Sequence, residues 1–435
     1  MEITTQLAER LRQRLHPLRV AGDLDPLLEH IGNARCVLLG EASHGTSEYY
    51  AWRTRISERL IREKDFSFIA VEGDWPDCYE VNRYVRGLPR SAHSAREALG
   101  AFRRWPTWMW ANEEVAELVE WLRRHNDGLP EPERIGFYGL DVYSLWESLD
   151  AVMQYLKREH PDAVEAAQRA YQCFEPYGGS AREYARATAF VPTSCEDEVV
   201  AMLSELLRGA AEHPEDGSEA HFAAEQNAFV ARNAERYYRA MIQGGASSWN
   251  VRDRHMAETL GRLLGHHGPD AKAIVWEHNT HVGDARFTDM ADDGLVNVGQ
   301  LARERWGEEE VVLVGFGSHR GSVVAGARWG APMERMRVPP ARDGSWEDAL
   351  RRASGEDGLL VFSDPEIEEL LEERDHRAIG VVYDAGSERY GNYVPTVLPR
   401  RYDAFLYLDE TRTLRPLHGP WSGEPDEPAT FPSHE

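Results

Sequence analysis

Apolar positions along this chain follow two spacings in turn, and the alternation predicts a sheet wrapped by helices. Short unbroken apolar runs at 35–40, 67–72, 134–140, 271–277, 310–316, 358–362, 377–382 and 403–408 read as buried strands. Between them apolar residues recur every three to four positions, the spacing of one helix face. Leu7, Leu11 and Leu15 set it in a helical 3–30 stretch, which a second short pattern at Leu27 and Ile31 closes. Tyr49, Trp52, Ile56, Leu60 and Ile61 mark the apolar side of a helix over 46–63, and helices are expected at 76–86 and 113–125. Strands and helices in alternation predict an α/β fold, with a mostly parallel central sheet flanked by helices.

From 143 to 268 the strand pattern stops. The stretches 150–159, 196–207, 219–241 and 251–264 carry helical periodicity, with Pro and Gly breaks at 176–179 and 242–245. We read this region as a helical insertion forming a lobe over the site, within a single α/β domain spanning 1–417. The remainder, 418–435, is rich in Pro, Gly and Glu and reads as a loose tail.

Four of the predicted strands run directly into acid–base residues. CVLL leads into GEASHG with Glu41 and His44, and FSFIA into VEGDW with Glu72 and Asp74. IGFY leads into GLD with Asp141, and AKAIV into WEHNTHVGDAR with Glu277, His278, His281 and Asp284. In a parallel sheet the carboxyl ends of the strands share one edge, where ligands bind, so these groups are expected to converge. Carboxylates among imidazoles suit proton transfer or metal binding. The plainer alternatives are a capping box at GEASHG, a helix cap at Asp74 and a polar turn around His281. Arg53 or Arg55 could pair with Glu72. Arg252 and Asp253 are expected at the start of a helix, where Arg252 could reach the site or the pair could stand in an exposed first turn. Trp105, Trp108 and Trp110 fall in one short segment and could line an apolar pocket, or be structural.

Composition narrows the partners. Asp and Glu number 74 against 49 Lys and Arg, a formal net charge of −25. That excess disfavours nucleic acid and anionic membrane surfaces, which need basic faces. No apolar run approaches a membrane span, and the N-terminus lacks a signal peptide's apolar core. The four cysteines, Cys36, Cys78, Cys173 and Cys195, are scattered without a CxxC, which suggests no disulfide framework and a cytoplasmic protein. There is no GxSxG elbow, phosphate loop or GxGxxG fingerprint, which disfavours a serine hydrolase, an ATPase and a dehydrogenase.

Taken together, GEASHGTSEYYAWR, FIAVEGDWPDCYEVNRYV, GFYGLDVYSLWESL, WNVRDRHMAETL, VWEHNTHVGDAR, NVGQLARERWG and VVLVGFGSHRGSVVA resemble the erythromycin esterase family, including its succinoglycan-biosynthesis-like members. The resemblance runs from about residue 30 to about 410. It implies an α/β sheet domain with a helical insertion over the site, and hydrolysis of macrolide lactone esters without a metal or other cofactor. It also implies that His44 is the essential His, with Glu41, Glu72, Arg53, His278 and His281 as its catalytic companions.

The expected reaction is hydrolysis of a small-molecule ester by a water that His44 deprotonates. Glu41 or Glu72 orients His44, His278 or His281 serves the oxyanion or leaving group, and Arg53 holds Glu72 or offsets negative charge. Trp75, Asp74, Trp105, Trp108, Trp110, Asp141 and Arg252 are the expected substrate-binding residues, with no metal ligand among them. Two alternatives remain: a divalent-metal hydrolase using the same His/Glu cluster, and a non-catalytic binding protein.

Overall fold

The computed structural model describes residues 3–177, 183–184, 187, 194–212, 219–243, 246–362 and 370–419. Most of the tail expected from 418 lies outside the described residues. Among the described residues eleven strands appear in chain order: β1 (His16–Pro17), β2 (Cys36–Leu39), β3 (Phe68–Asp74), β4 (Gly136–Asp141), β5 (Ala273–Trp276), β6 (Val311–Gly326), β7 (Met333–Val338), β8 (Gly358–Val361), β9 (Arg374–Arg377), β10 (Tyr393–Thr396) and β11 (Ala404–Thr411). The main sheet has the order β1-β8-β11-β6-β2-β5-β3-β4, with β7 paired to β6. The six strands from β11 to β4 are mutually parallel, whereas β1, β8 and β7 pair antiparallel.

Both faces of the parallel strands are covered, which is why their sequences are apolar throughout rather than alternating. Val37, Leu39, Ile69, Val71, Ile274 and Trp276 enter one core, shared with the helices Ser47–Lys64 and Glu113–Asn126. Their neighbours Cys36, Leu38, Phe68, Ala70, Ala273 and Val275 enter a second core, shared with Ala246–His266, Val298–Trp306 and Trp346–Ala353. The strand order decides the site. β5, which carries the His-rich segment, lies between β2 and β3. Its loop therefore emerges between the GEASHG and VEGDW loops.

Between β4 and β5 the described residues form helices and no strand, among them Leu145–Glu159, Val164–Phe174, Glu196–Glu212 and Glu219–Gln243. They enclose a core of their own around Val142, Leu149, Val199, Met202, Ala228 and Tyr238. No described helix is long and apolar enough to cross a membrane.

Four local expectations need correction. The strand expected at 377–382 is β9, shifted to Arg374–Arg377 and paired with β10 in a separate ribbon. The apolar residues after it serve tertiary contacts instead: Ile379 N–H donates to Ala42 O (2.8 Å) and Gly326 N–H to Val381 O (2.9 Å). The helical reading of 3–30 is interrupted by β1 and a 3-10 turn at Ala21–Leu24. The helix holding Arg252 and Asp253 begins at Ala246, so these residues sit in its middle, and they are buried. Cys173 and Cys195 form a disulfide, with Cα atoms 5.8 Å apart, while Cys36 and Cys78 are free and buried. That pairing depends on how two helical segments of the insertion approach each other, which spacing along the chain does not report.

Gly45 joins the first loop to the long strand β6. Its carbonyl accepts from Val324 N–H (3.1 Å) and Leu414 N–H (3.1 Å), and an added Cβ would lie 2.0 Å from Val324 O. Gly45→Ala should therefore lower the unfolding free energy by about 1–3 kcal/mol, the usual range for overpacking. Urea titration against the wild-type protein checks this, and an unchanged midpoint would contradict the close approach.

Candidate active site

The first loop sets the central pair. Glu41 and His44 are both about 1 % exposed, and Glu41 Oε1 lies 2.9 Å from His44 Nδ1. A carboxylate only accepts, so Nδ1 carries a hydrogen, and in the neutral ring Nε2 is the nitrogen with the lone pair. Arg53 Nη2 donates to the other oxygen of Glu41 at 2.7 Å. The Arg53 guanidinium is held between the rings of Tyr50 and Trp276, 4.4 and 4.6 Å from their centroids. Tyr50 Oη donates to His44 O (2.9 Å), which fixes the loop backbone beneath the imidazole.

Beside this pair stands a second, charged group. Arg252 donates from Nη2 to Glu72 Oε1 (2.7 Å), and from Nε and Nη2 to the two oxygens of Asp141 (3.0 and 2.7 Å). The other oxygen of Glu72 accepts from His278 N–H at 2.9 Å. Burial opposes ionisation of Glu72, but the nearby His281, Arg252 and His44 outweigh it and hold its carboxyl far below the ordinary range. The same carboxylates hold Arg252 firmly protonated against its own burial.

The two later histidines differ in their surroundings. His278 Nδ1 lies 2.8 Å from Thr280 Oγ1 and accepts from Thr280 N–H at 3.4 Å, which leaves the ring hydrogen on Nε2. Nε2 is buried without a partner among the described residues. Burial, and then the proximity of His44, push His278 well below the usual imidazole range, so it is neutral. Its ring centroid is 5.0 Å from that of His44. His281 stacks on Trp249 at 4.5 Å and places Nδ1 2.8 Å from Asp253 Oδ1. Burial opposes its protonation, whereas Asp253 and Glu72 favour it and raise His281 to about 9. Arg252 Nη1, which can only donate, nevertheless lies 3.0 Å from His281 Nε2. That contact is a hydrogen bond only when Nε2 is unprotonated and the ring hydrogen is directed to Asp253. The two carboxylates favour the imidazolium, and the neighbouring guanidinium opposes it. Glu277, wholly buried with neither oxygen partnered, is kept protonated by burial.

His44, Glu72, Asp141 and Arg252 form the floor of a cleft of about 680 Å³, part of it open to solvent. Phe102, Trp105, Met109, Trp110, Tyr143 and Trp329 make its apolar walls, and Asp74, Asp77 and Arg104 a polar side. Trp110 Nε1 donates to Glu72 O (2.9 Å), and Trp105 Nε1 to Ala331 O (2.9 Å), so the wall is tied to the floor. Burial raises Asp77 to about 7 despite the nearby Arg104.

Two expected substrate-binding residues do not line this cleft. Trp75 points into the second core, stacked on Tyr79 and Tyr138, whereas Cys78, Val81 and Val85 of the same helix enter the first. Trp108 lies behind Trp105, edge to face at 5.5 Å. Arg53 pairs with Glu41, not Glu72. Asp284 is occupied by Arg286 and Arg303. Residues the sequence reading did not place include Tyr143, Trp249, Asp253 and Trp329. The signal for Asp253 was its place beside Arg252, whereas Trp329 comes from the β6–β7 turn and carried none. Among the described residues no three His, Cys, Asp or Glu side chains are arranged to hold a metal ion.

The family profile described as erythromycin esterase matches residues 61–411. The chain belongs to the erythromycin esterase family. Within it, the chain is 22 % identical over 375 residues to erythromycin esterase type II of Escherichia coli, covering 80 % of this chain and 85 % of that protein. It is 21 % identical over 416 residues to YbfO of Bacillus subtilis (strain 168), a protein named as a hydrolase, covering 89 % and 86 %. In fold this family member is similar to the crystal structure of a succinoglycan biosynthesis protein, with a TM-score of 0.76 and 21 % identity over 95 % of this chain and 98 % of the other. It is also similar to a mutant of the erythromycin esterase EreC in its open conformation, with a TM-score of 0.66 and 18 % identity over 94 % and 97 %.

The Glu72 environment of this esterase-family chain has a measurable consequence. An unfolded Glu titrates near about 4.3, and folded Glu72 far lower. Its contribution is fully present above the unfolded value and is lost as pH falls below it toward the folded one. Between about pH 4.3 and 3, wild-type stability should fall more steeply than that of Glu72→Gln, by up to about 1.4 kcal/mol per pH unit. Parallel slopes in denaturant titrations would show that Glu72 is not held ionised.

Proposed function

We propose that this chain hydrolyses an ester of a largely apolar small molecule, using a water that His44 activates. The observation that carries this reading is the His44 tautomer. Glu41 takes Nδ1–H, so Nε2 is left as the basic nitrogen of a residue that lines the cleft. The family and the hydrolases among its relatives support hydrolysis in general. The ester bond, the metal-free route and the individual roles are the proposal.

In the first step His44 Nε2 takes a proton from water as the oxygen attacks the carbonyl carbon. Glu41 keeps the ring oriented and stabilises the imidazolium, and Arg53 fixes Glu41. The carbonyl π bond becomes an oxyanion, for which the neutral Nε2–H of His278 is a preformed donor. Collapse expels the alkoxide, which takes its proton from the His44 imidazolium and restores the base. Glu72, Asp141 and Arg252 keep the floor charged, rigid and dry. The aromatic walls accommodate the apolar part of the substrate.

His44→Ala should reduce turnover of aryl esters and macrolactones by at least about 10²–10⁴-fold, the usual contribution of a general base, while its far-UV spectrum and melting temperature stay near wild type. Wild-type activity should fall on the acid side, where the imidazolium cannot accept a proton, and should withstand dialysis against a chelator. Turnover within a few-fold of wild type in His44→Ala would remove His44 as the base. Chelator-sensitive activity restored by a divalent ion would replace the metal-free route.

A further inference from the structure

A further buried His–carboxylate pair, beyond His44–Glu41 and His281–Asp253, is not used by the reaction outlined above. Glu347, in the helix Trp346–Ala353, and His376, in β9, are both 0 % exposed. Glu347 Oε1 accepts from His376 Nδ1 at 2.6 Å and from Arg377 N–H at 3.1 Å. On the other side of the ring, Asn279 Nδ2 lies 3.1 Å from His376 Nε2. Asn279 is the immediate neighbour of His278.

The hydrogen positions follow from the contacts. Asn279 Oδ1 accepts from Phe316 N–H (3.2 Å) and Nδ2 donates to Phe316 O (2.6 Å), so the amide orientation is decided by the β6 backbone. Nδ2 is then a donor toward His376 as well, and His376 Nε2 must accept. The ring hydrogen is therefore on Nδ1, donated to Glu347. Burial keeps His376 neutral, although Glu347 and its hydrogen bond work the other way.

Asn279 is also tied through its backbone. Its N–H donates to Glu41 O (2.8 Å), and its carbonyl accepts from Arg401 Nη2 (3.0 Å). The fit is close on the sheet side, where a Cβ on Gly40 would fall 2.1 Å from Asn279 Oδ1. Asn279 thus links Glu41, the residue that orients His44, to its own chain neighbour His278. Its side chain is anchored by Glu347–His376 from a different part of the fold. We infer that Glu347 and His376 are positioning residues which, through Asn279, set where the His278 segment stands against the Glu41–His44 pair.

The kinetic part of this inference rests on the proposed ester hydrolysis, so the test has two arms. In the first, ¹⁵N-histidine spectra of the wild-type protein report ring protonation without any substrate. His376 should show a protonated Nδ1 and a bare Nε2 throughout the folded pH range. In His376→Leu the His44 and His278 ring signals should move, although neither ring touches residue 376. An Nε2–H tautomer at His376, or unmoved His44 and His278 signals, would overturn the inference even if the chain hydrolyses nothing. In the second arm, p-nitrophenyl butyrate is assayed well below the melting temperature of each variant. His376→Leu should lose about 10–100-fold in kcat, the scale of a small misplacement of reacting groups, with KM within about twofold. Its acid limb should shift to lower pH, because loosened Glu41 support makes the imidazole less basic. Glu347→Gln, which can still accept from His376 Nδ1–H, should retain kcat within about threefold, whereas Glu347→Ala should behave as His376→Leu. A folded His376→Leu with wild-type kcat and acid limb would reduce the pair to a structural role. Absence of turnover in the wild-type protein would instead remove the hydrolysis reading and leave the spectroscopic arm to decide.

Discussion

Arg252 bridges Glu72 and Asp141 in a place where all three are nearly sealed from water. Buried carboxylates survive ionised only with a partner that supplies charge and hydrogen bonds together, and removing such a partner leaves them uncompensated. The rest of the site depends on this arrangement. Glu72 stays ionised and so can accept His278 N–H, which places the His278 segment. Asp141, at the end of β4, accepts from Arg252 at both oxygens, and Arg252 ties the helix Ala246–His266 to two strand ends. The helical region between β4 and β5 is thereby joined to the carboxyl edge of the sheet by buried ion pairs, in addition to packing.

The proton arrangements of four histidines in this region are set by their neighbours. Glu41 directs the hydrogen of His44 to Nδ1. Thr280 leaves that of His278 on Nε2. Asp253 and Glu347 draw those of His281 and His376 to Nδ1, while Arg252 and Asn279 occupy the opposite nitrogens. Only His44 lines the cleft with its Nε2 unassigned to a protein partner among the described contacts. Hydrogen bonding and burial thus give one side-chain type several distinct environments.

The cleft joins this polar floor to walls of Trp105, Trp110, Trp329 and Phe102. Aromatic walls offer a large contact area at little cost in side-chain entropy, and they exclude water from the groups beneath. Low polarity above the floor also strengthens the electrostatic contacts within it. Asp74, Asp77 and Arg104 give one side of the cleft a distinct polar character.

The α/β class, the strands β2 to β6 and the four acid–base loops were legible in the sequence because each is a local pattern. An unbroken apolar run marks a strand covered on both faces, and the residues after it must lie at the sheet edge. The orientation of individual side chains was not legible. Trp75 and Trp108 adjoin the cleft in sequence yet point into cores, since a helix start and a neighbouring ring decide their direction. The apolar run near 379 suggested a strand, because packing on the first loop and on β6 imposes the same composition as strand pairing does. Glu347, His376, Trp329 and the Cys173–Cys195 bond depend on contacts between segments far apart in the chain. The insertion of β5 between β2 and β3 is of the same kind: it brings His278 against Glu72 and His44, and only the pairing of complete strands could decide it.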